Sequence, residues 1–269
     1  MAEGHGHNPL EHVIDHPSLE FPFAGEVMLP RIQGFQVTRF MVMELVAAGL
    51  LVLILVPLTR HVARNRVSRG PFWNAFEALL LFIRDGVARP SIPGHAADEY
   101  VPFLWTMFFF ILFSNLLGMI PGGASATGNI NVTGVLALLT LGTVVVAGVR
   151  ASGPAGFWLN LVPHLDVPAP LKLVLWPLMF VIEVAGLLIR HTVLAVRLFA
   201  NMLAGHIVLA VILGFAIQAS RGFQYLVAPA SVLGVVALSL LELLVAFLQA
   251  YIFTFLAALF IGSAAHPSH

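Results

Sequence analysis

Two long apolar stretches near the C-terminal end of the chain carry ionisable side chains. Such a group costs on the order of 3 kcal/mol in the middle of a membrane, so it is rare there and usually has a function. The set consists of six ionisable residues and two amides: Glu183, Arg190, His191, Arg197, His206, Glu242, Asn201 and Gln249. Because carboxylates and imidazoles exchange protons whereas guanidinium groups hold a fixed charge, this set is typical of a pathway for ions.

The spacing of these residues indicates two polar tracks on one helix. Glu183, Arg190 and Arg197 are seven residues apart, so at about 100° per residue they fall within about 40° of one another. Asn201 stays on nearly the same face. His206 lies about 180° around the helix from Arg197 and ~13 Å along it. A single water pore would not need two faces at different depths, whereas two staggered half-channels would.

The final apolar stretch supplies partners for these tracks. Glu242 and Gln249 are seven residues apart and therefore share a helix face. If the two long helices pair antiparallel, His206 and Glu242 form a proton-accepting couple near the outer side, since imidazole titrates near neutral pH. In the same arrangement Gln249 approaches Arg197.

The chemical argument depends most on Arg197. A guanidinium stays charged at physiological pH, so it cannot relay a proton, but it repels hydronium and attracts a carboxylate. Between two half-channels it would strip a proton from a passing acid and prevent direct leakage. A lysine can lose its charge when buried and would do this less reliably. The alternative for Arg197 is a structural ion pair with Glu183 or Glu242.

The other polar residues also have structural alternatives. His206 alone would be an ordinary core histidine, and its pairing with Glu242 is what favours a function. Glu183 either lines a channel or anchors the helix at the membrane interface. Amides often hold membrane helices together and long cationic side chains snorkel, so five further residues lie between lining and structural roles: Asn115, Asn201, Gln249, Arg190 and His191.

The composition places the chain in a membrane. Its 269 residues are 59% hydrophobic and 10% charged, and the mean hydropathy is +0.95. Soluble domains carry about 25% charged residues, so most of this surface must face lipid. A formal net charge of zero argues against a nucleic-acid partner. The absence of cysteine excludes disulfides, thiolate metal sites and cysteine nucleophiles.

The hydropathy pattern predicts an all-α integral membrane protein of about five to six hydrophobic helices. We expect a polar N-terminal segment outside the membrane, an amphipathic helix on the membrane surface, three ordinary spans, and two long helices that are strongly tilted or membrane-parallel. The segment covers residues 1–38 and a single membrane domain covers 39–269. Within that domain the amphipathic helix is 71–89, the spans are about 40–58, 101–120 and 132–149, and the long helices are about 171–219 and 225–261.

The basic cluster after the first span sets the orientation. Cytoplasmic loops are enriched in arginine and lysine, so the N-terminus is expected outside. The cluster consists of Arg60, His61, Arg64, Arg66 and Arg69.

The polar tail and the rest of the chain offer no metal or cofactor site. The tail histidines are irregularly spaced, which favours a disordered or surface-lying segment over metal binding. They are His5, His7, His12 and His16. The chain has no nucleotide-binding loop and no nucleophile constellation, so we expect no catalytic residues, no cofactor and no enzymatic activity by the chain alone.

Four motifs resemble subunit a of F-type ATP synthases. RLFANMLAGH (197–206) and ELLVAFLQAY (242–251) are similar to the two signatures of that family, and FSNLLGMIPG (113–122) and TGNINVT (127–133) resemble its central hairpin and loop. The similarity extends from about residue 8 to 261, with the spans in the same order.

The resemblance implies a role for each matching residue. Arg197 faces the carboxylate of the rotating c-ring, with Asn201 and Gln249 in support. His206 and Glu242 line the outer half-channel, where some members carry the acid and the histidine in exchanged positions, and Glu183 lines the inner one. Asn115 matches a polar residue of the second span, whereas Gly118 stands where some members have an acid.

The resemblance also implies partners and a location. The partners are a c-ring of small two-helix proteolipid subunits, peripheral-stalk b-type subunits and membrane lipid. The location is the bacterial inner membrane, with the C-terminus in the cytoplasm. The alternative is a self-contained ion carrier or channel, against which the chain shows no internal repeat.

Overall fold

The computed structural model describes residues 18–21, 25–32, 35–65, 70–94, 96–120, 125–162, 168–218 and 224–265. The tail histidines, and Arg66 and Arg69 of the basic cluster, lie outside these residues.

The described chain consists of two short β-hairpins followed by eight α-helices. The helices are α1 (Arg39–Asn65), α2 (Pro71–Leu81), α3 (Arg89–Ser91), α4 (Ala96–Gly118), α5 (Ile130–Ser152), α6 (Pro154–Asn160), α7 (Ala169–Gln218) and α8 (Gln224–Ala265). A π-helical stretch, Phe82–Ala88, joins α2 to α3, and a 3-10 turn, Ala126–Gly128, precedes α5.

The hairpins lie in the polar segment ahead of the first membrane helix. Strand β1 (Ser18–Phe21) pairs antiparallel with β2 (Gly25–Met28), and β3 (Arg31–Ile32) pairs antiparallel with β4 (Phe35–Gln36). The second hairpin is closed by a side-chain hydrogen bond of 2.8 Å from Arg31 Nε to Gln36 Oε1.

Five of the described helices are long and apolar enough to cross a membrane, which confirms the predicted all-α integral membrane fold. The candidate spans are Arg39–Arg60, Ala96–Gly118, Ile130–Ser152, Leu171–Ile212 and Pro229–Ala265. Helices α7 and α8 have 50 and 42 residues. At 1.5 Å per residue each exceeds about 60 Å, roughly twice the ~30 Å hydrocarbon thickness. A tilted or in-plane course therefore stays the prediction for both.

The chain divides into two compact units. Unit 1 consists of Met1–Leu51, Phe110–Val132 and Arg197–Gln249, and unit 2 consists of Val52–Phe109, Thr133–Val196 and Ala250–His269. Helices α1, α4, α5, α7 and α8 each contribute one stretch to each unit. The residues expected to carry chemistry consequently fall into two sets, one in each unit.

The amphipathic segment predicted at 71–89 is helical from Pro71 to Ser91 in unit 2. Part of its apolar surface is covered by protein, since Leu80, Ile83 and Val87 are buried, whereas Phe72 and Phe82 are exposed. Trp105 of α4 fixes this face in place by donating a hydrogen bond of 2.9 Å from Nε1 to the Leu80 carbonyl oxygen.

Exposed ion pairs join the same segment to the start of α4. Asp85 binds Arg84 and Arg89, and Arg89 also contacts Asp98 at 3.3 Å. The hydrogen bond from Arg84 lowers the pKa of the Asp85 carboxyl, and the nearby charge of Arg89 adds to the effect. Because water screens exposed charges, these pairs orient the segment more than they stabilise it.

Helices α5 and α6 come into close contact at a glycine. A Cβ atom placed on Gly148 would lie 2.2 Å from Cδ2 of Phe157, a ring that is buried. The Phe157 ring therefore occupies the space that a side chain at position 148 would need.

Replacing this glycine should weaken the contact between α5 and α6. We expect Gly148→Ala to destabilise the protein by about 1–3 kcal/mol, because the added methyl group must displace a packed ring. Gly142→Ala on the same helix is the matched control, since a Cβ there meets nothing within 4 Å. Thermal unfolding of the detergent-solubilised protein measures the difference. Equal stability of the two variants would contradict the close contact.

Candidate functional site

Arg197 lies in the stretch of α7 that belongs to unit 1. Its Nε and Nη2 atoms are buried and have no hydrogen-bond partner. No carboxylate among the described residues of unit 1 forms an ion pair with it, so the structural ion pair with Glu242 is not made. Leaving buried donors unpaired costs about 1–3 kcal/mol, and more when the group is charged. Among the described residues of its own unit, the guanidinium thus has no counter-charge.

A cavity of about 220 Å³ lies between α7 and α8 in unit 1. Asn201 and Gly205 line it from α7 and Glu242 lines it from α8, with apolar side chains around them. A Cβ atom on Gly205 would lie 2.6 Å from Oε1 of Glu242. The carboxylate therefore rests directly against the α7 backbone, where only a glycine leaves room for it.

His206 follows Gly205 in the chain, and its Nε2 atom is buried without a hydrogen bond. Both carboxylate oxygens of Glu242 are also buried without a hydrogen-bond partner. No hydrogen bond joins the two side chains, so their action as a couple stays a prediction. Arg39, buried at the start of α1, is close enough to His206 to interact with it electrostatically.

Gln249 is buried seven residues, or about two helical turns, after Glu242 on α8. Its Nε2 atom has no hydrogen-bond partner. No hydrogen bond joins it to Arg197 within unit 1, so that contact also stays a prediction. Asn115 of α4 contacts the same part of α8, because its Nδ2 atom donates a hydrogen bond of 3.3 Å to the Ala246 carbonyl oxygen. Asn115 therefore lies against α8 between the two polar residues.

The predicted residues of unit 2 lie on the earlier part of α7. Arg190 Nη2 and Glu183 Oε2 are 3.9 Å apart, which is an ion pair too long for a hydrogen bond. His191 is buried, with Nδ1 2.8 Å from the Leu187 carbonyl oxygen and its ring 5.1 Å from that of Phe260. Glu183 and Arg190 thus interact with each other, whereas His191 is held by its own helix and an aromatic ring.

Three residues of unit 1 that contact or lie near the predicted residues were not predicted from the sequence. They are Arg39 near His206, Gly205 against Glu242, and Thr127, whose Oγ1 donates a hydrogen bond of 2.6 Å to Oδ1 of Asn115. Gly205 carried a detectable signal, since a small residue inside a polar helix stretch often marks a close helix crossing.

Gly118 of α4 leaves no room for a side chain. A Cβ atom at this position would lie 2.4 Å from Cβ of Ser125. Ser125 occupies the space that a side chain at position 118 would need.

The side chains of unit 1 can supply proton exchange and a fixed positive charge. A carboxylate such as that of Glu242 and an imidazole such as that of His206 can take up and release protons, whereas the Arg197 guanidinium keeps its charge. Among the residues that the structure describes, no group of three histidine or acidic side chains could hold a metal ion.

Comparison with known proteins identifies the family. The family model for the ATP synthase A chain matches residues 41–262. ATP synthase subunit a of Chloroherpeton thalassium is 43% identical over 268 residues, covering 97% of this chain and 77% of that protein. ATP synthase subunit a of Myxococcus xanthus is 40% identical, covering 96% and 87%. ATP synthase subunit a 2 of Chlorobaculum tepidum is 41% identical, covering 95% and 72%. By these matches the chain, with its five candidate membrane spans among the described residues, belongs to the ATP synthase subunit a family.

Proposed function

We propose that this chain forms the two offset proton half-channels of a rotary F-type ATP synthase, beside a rotating c-ring of small two-helix proteolipids. The observation that carries the proposal is the Arg197 guanidinium, whose Nε and Nη2 atoms are buried in a membrane helix without partners. Such a cation favours the ionised form of any carboxylic acid that approaches it. A ring acid that reaches Arg197 therefore releases its proton, and its carboxylate binds the guanidinium.

In the outer half-channel, Glu242 and His206 accept protons and pass them to the ring carboxylate. The unbonded, buried atoms of both side chains support this role, because each can take up a proton or a water molecule. The cavity beside Glu242 supplies the space, and Asn201 supplies a polar wall. Asn115 lines the same route from α4, and Gln249 supports Arg197 from α8.

In the inner half-channel, Glu183 receives the proton that the ring acid has released. Its spacing from Arg197 places the two residues on about the same face of α7 and ~21 Å apart along the axis. Arg190 and His191 are the further lining residues. The fixed charge of Arg197 separates the two routes, because hydronium cannot pass a permanent cation at low cost.

The partners follow from the surfaces that the long helices leave uncovered. Leu240, Leu241 and Leu244 of α8 are exposed apolar residues next to the buried Glu242. An apolar surface of this kind suits the outer helices of the c-ring and membrane lipid. Peripheral-stalk b-type subunits complete the complex, and the chain has no catalytic activity alone and no nucleic-acid partner.

The location is the bacterial inner membrane. The relatives of this chain named above come from bacteria. Arginines follow its first span, and Arg60 is the last residue of that candidate span. By the positive-inside rule the N-terminus is then outside and the C-terminus cytoplasmic.

Removal of the fixed charge tests the central claim. We expect Arg197→Ala to reduce proton-driven ATP synthesis to background while the chain still inserts, and Arg197→Lys to remain far below wild type, because a buried lysine can lose its charge. ATP synthesis in inverted membrane vesicles measures the effect. Arg150→Ala is the control, since it removes an exposed cation that is paired only with Glu99.

Co-purification of the small proteolipid with each variant shows that the complex is assembled. Near-normal synthesis by the Arg197→Ala complex would contradict the proposal. So would a wild-type chain that conducts protons when purified without the proteolipid, since that result favours a self-contained channel.

Exchange of the two proton-accepting residues tests whether they act together. We expect His206→Glu and Glu242→His each to slow proton conduction. The double exchange should conduct protons faster than it would if the effects of the two single changes were additive. Residues that contact one another typically deviate from additivity by about 0.5–3 kcal/mol. Rates of passive proton conduction through vesicles supply the four values, and strict additivity of their logarithms would count against coupling.

A methyl group at position 205 should displace the Glu242 carboxylate. We expect Gly205→Ala to slow proton conduction about tenfold or more, since a misplacement near 1 Å can be this costly. Gly214→Ala on the same helix is the control, because a Cβ there meets nothing within 4 Å. Equal conduction by the two variants would show that the close approach has no functional weight.

A further inference from the structure

Four polar residues of unit 1 are buried together where the loop after α4 returns to the protein. Ser114 and Asn115 belong to α4, Ser125 precedes the 3-10 turn, and Thr127 lies within it. Each is at most 2% exposed. Buried polar groups are costly unless they bond with one another, so their hydrogen bonds define what the loop can do.

The hydrogen bonds of this group run in one direction. Asn115 Nδ2 donates to the Ala246 carbonyl oxygen at 3.3 Å, so its Oδ1 atom must accept, and Thr127 Oγ1 donates to it at 2.6 Å. Thr127 has then used its only proton. In the 2.7 Å contact between the two hydroxyls, Ser125 is therefore the donor, and it shares its one proton between Thr127 and the Ser114 carbonyl oxygen, which lies farther away at 3.3 Å. The resulting chain is Ser125 to Thr127 to Asn115 to α8.

The end of this chain is a specific point on α8. Ala246 is fully buried, and it lies four residues after Glu242 and three before Gln249, both of which are also buried. These three residues share one helix face. A hydrogen bond to the Ala246 carbonyl fixes both the rotation of that face and its position along the helix axis.

We infer that Thr127 is a positioning residue for proton transfer, because it orients Asn115 and thereby holds the α8 face that carries Glu242 and Gln249. The inference rests on the proposed function of that face. Without the Thr127 hydroxyl, the Asn115 amide keeps its bond to α8 but loses the hydrogen bond to its oxygen, so the amide holds α8 less firmly.

Thr127 itself is not ionisable, so it acts through the groups around it. The charged and titratable side chains on the described unit 1 stretches of the three long helices are Glu242 on α8, Arg197 and His206 on α7, and Arg39 and Glu44 on α1. The last part of α4 and the described part of the loop contribute none. A shift of α8 therefore changes the surroundings of Glu242 relative to these groups.

The test compares two substitutions of Thr127 in the assembled ATP synthase in membrane vesicles. Thr127→Val keeps a similar shape and removes the hydroxyl, whereas Thr127→Ser keeps the hydroxyl. We expect Thr127→Val to slow proton conduction about tenfold and to shift its pH profile, while Thr127→Ser stays within about twofold of wild type with an unchanged profile. Thr140→Val is the control, because the Thr140 hydroxyl is equally buried but bonds only Leu136 of its own helix.

The outcomes separate the possible roles. A Thr127→Val complex with the wild-type pH profile, whether its rate is normal or reduced, overturns the inference, since a purely structural role lowers the amount or rate of complex without moving the profile. If this variant does not assemble, Thr127→Ala decides by the same criterion, because it also removes the hydroxyl that binds Asn115 and adds no bulk. Arg197→Ala measured in parallel tests the proposed function separately: if that variant still makes ATP, the function fails, whatever Thr127 does.

Discussion

A charged or polar group inside a membrane needs a hydrogen bond or an opposite charge to offset the loss of water. The buried polar residues of unit 1 fall into two groups, those that have such partners and those that keep buried atoms without one. The hydrogen-bonded chain from Ser125 to Ala246 satisfies its members, so it can serve as a rigid anchor. Arg197, His206 and Glu242 keep buried atoms without partners. Buried charged or polar atoms without a partner can bind a proton or a passing carboxylate. A network whose hydrogen bonds are all formed cannot do so.

Small residues let these two kinds of group lie side by side. Gly205 brings the Glu242 carboxylate against the α7 backbone, and Gly118 lets the loop bearing Ser125 approach α4. Ala246 offers its carbonyl to Asn115 for the same reason, since no side chain beyond a methyl group stands in the way. Close backbone approach replaces the hydrophobic driving force that helices lack in lipid. The site thus depends on residues that have no chemistry of their own.

The length of the two C-terminal helices determines how far apart the two proposed half-channels can lie. With 50 and 42 residues, α7 and α8 are longer than a perpendicular crossing requires. One helix can therefore carry Glu183 in unit 2 and Arg197 in unit 1. Two routes at different depths need such a helix, because a span of about 20 residues would hold only one of them. In the proposed complex, exposed apolar residues of α7 and α8 would contact the apolar helices of the partner.

The sequence by itself determined the membrane fold, the long helices and the residues that carry charge, because hydropathy and helical spacing are local properties of the chain. It also contained the motifs that resemble subunit a. Only the tertiary structure decided which side chains meet. The bond from Asn115 to Ala246 joins residues 131 positions apart, and Gly205 matters only because Glu242 reaches it. Spacing gives the face of a helix, but the partner across that face is chosen by how the helices pack, which no local pattern records.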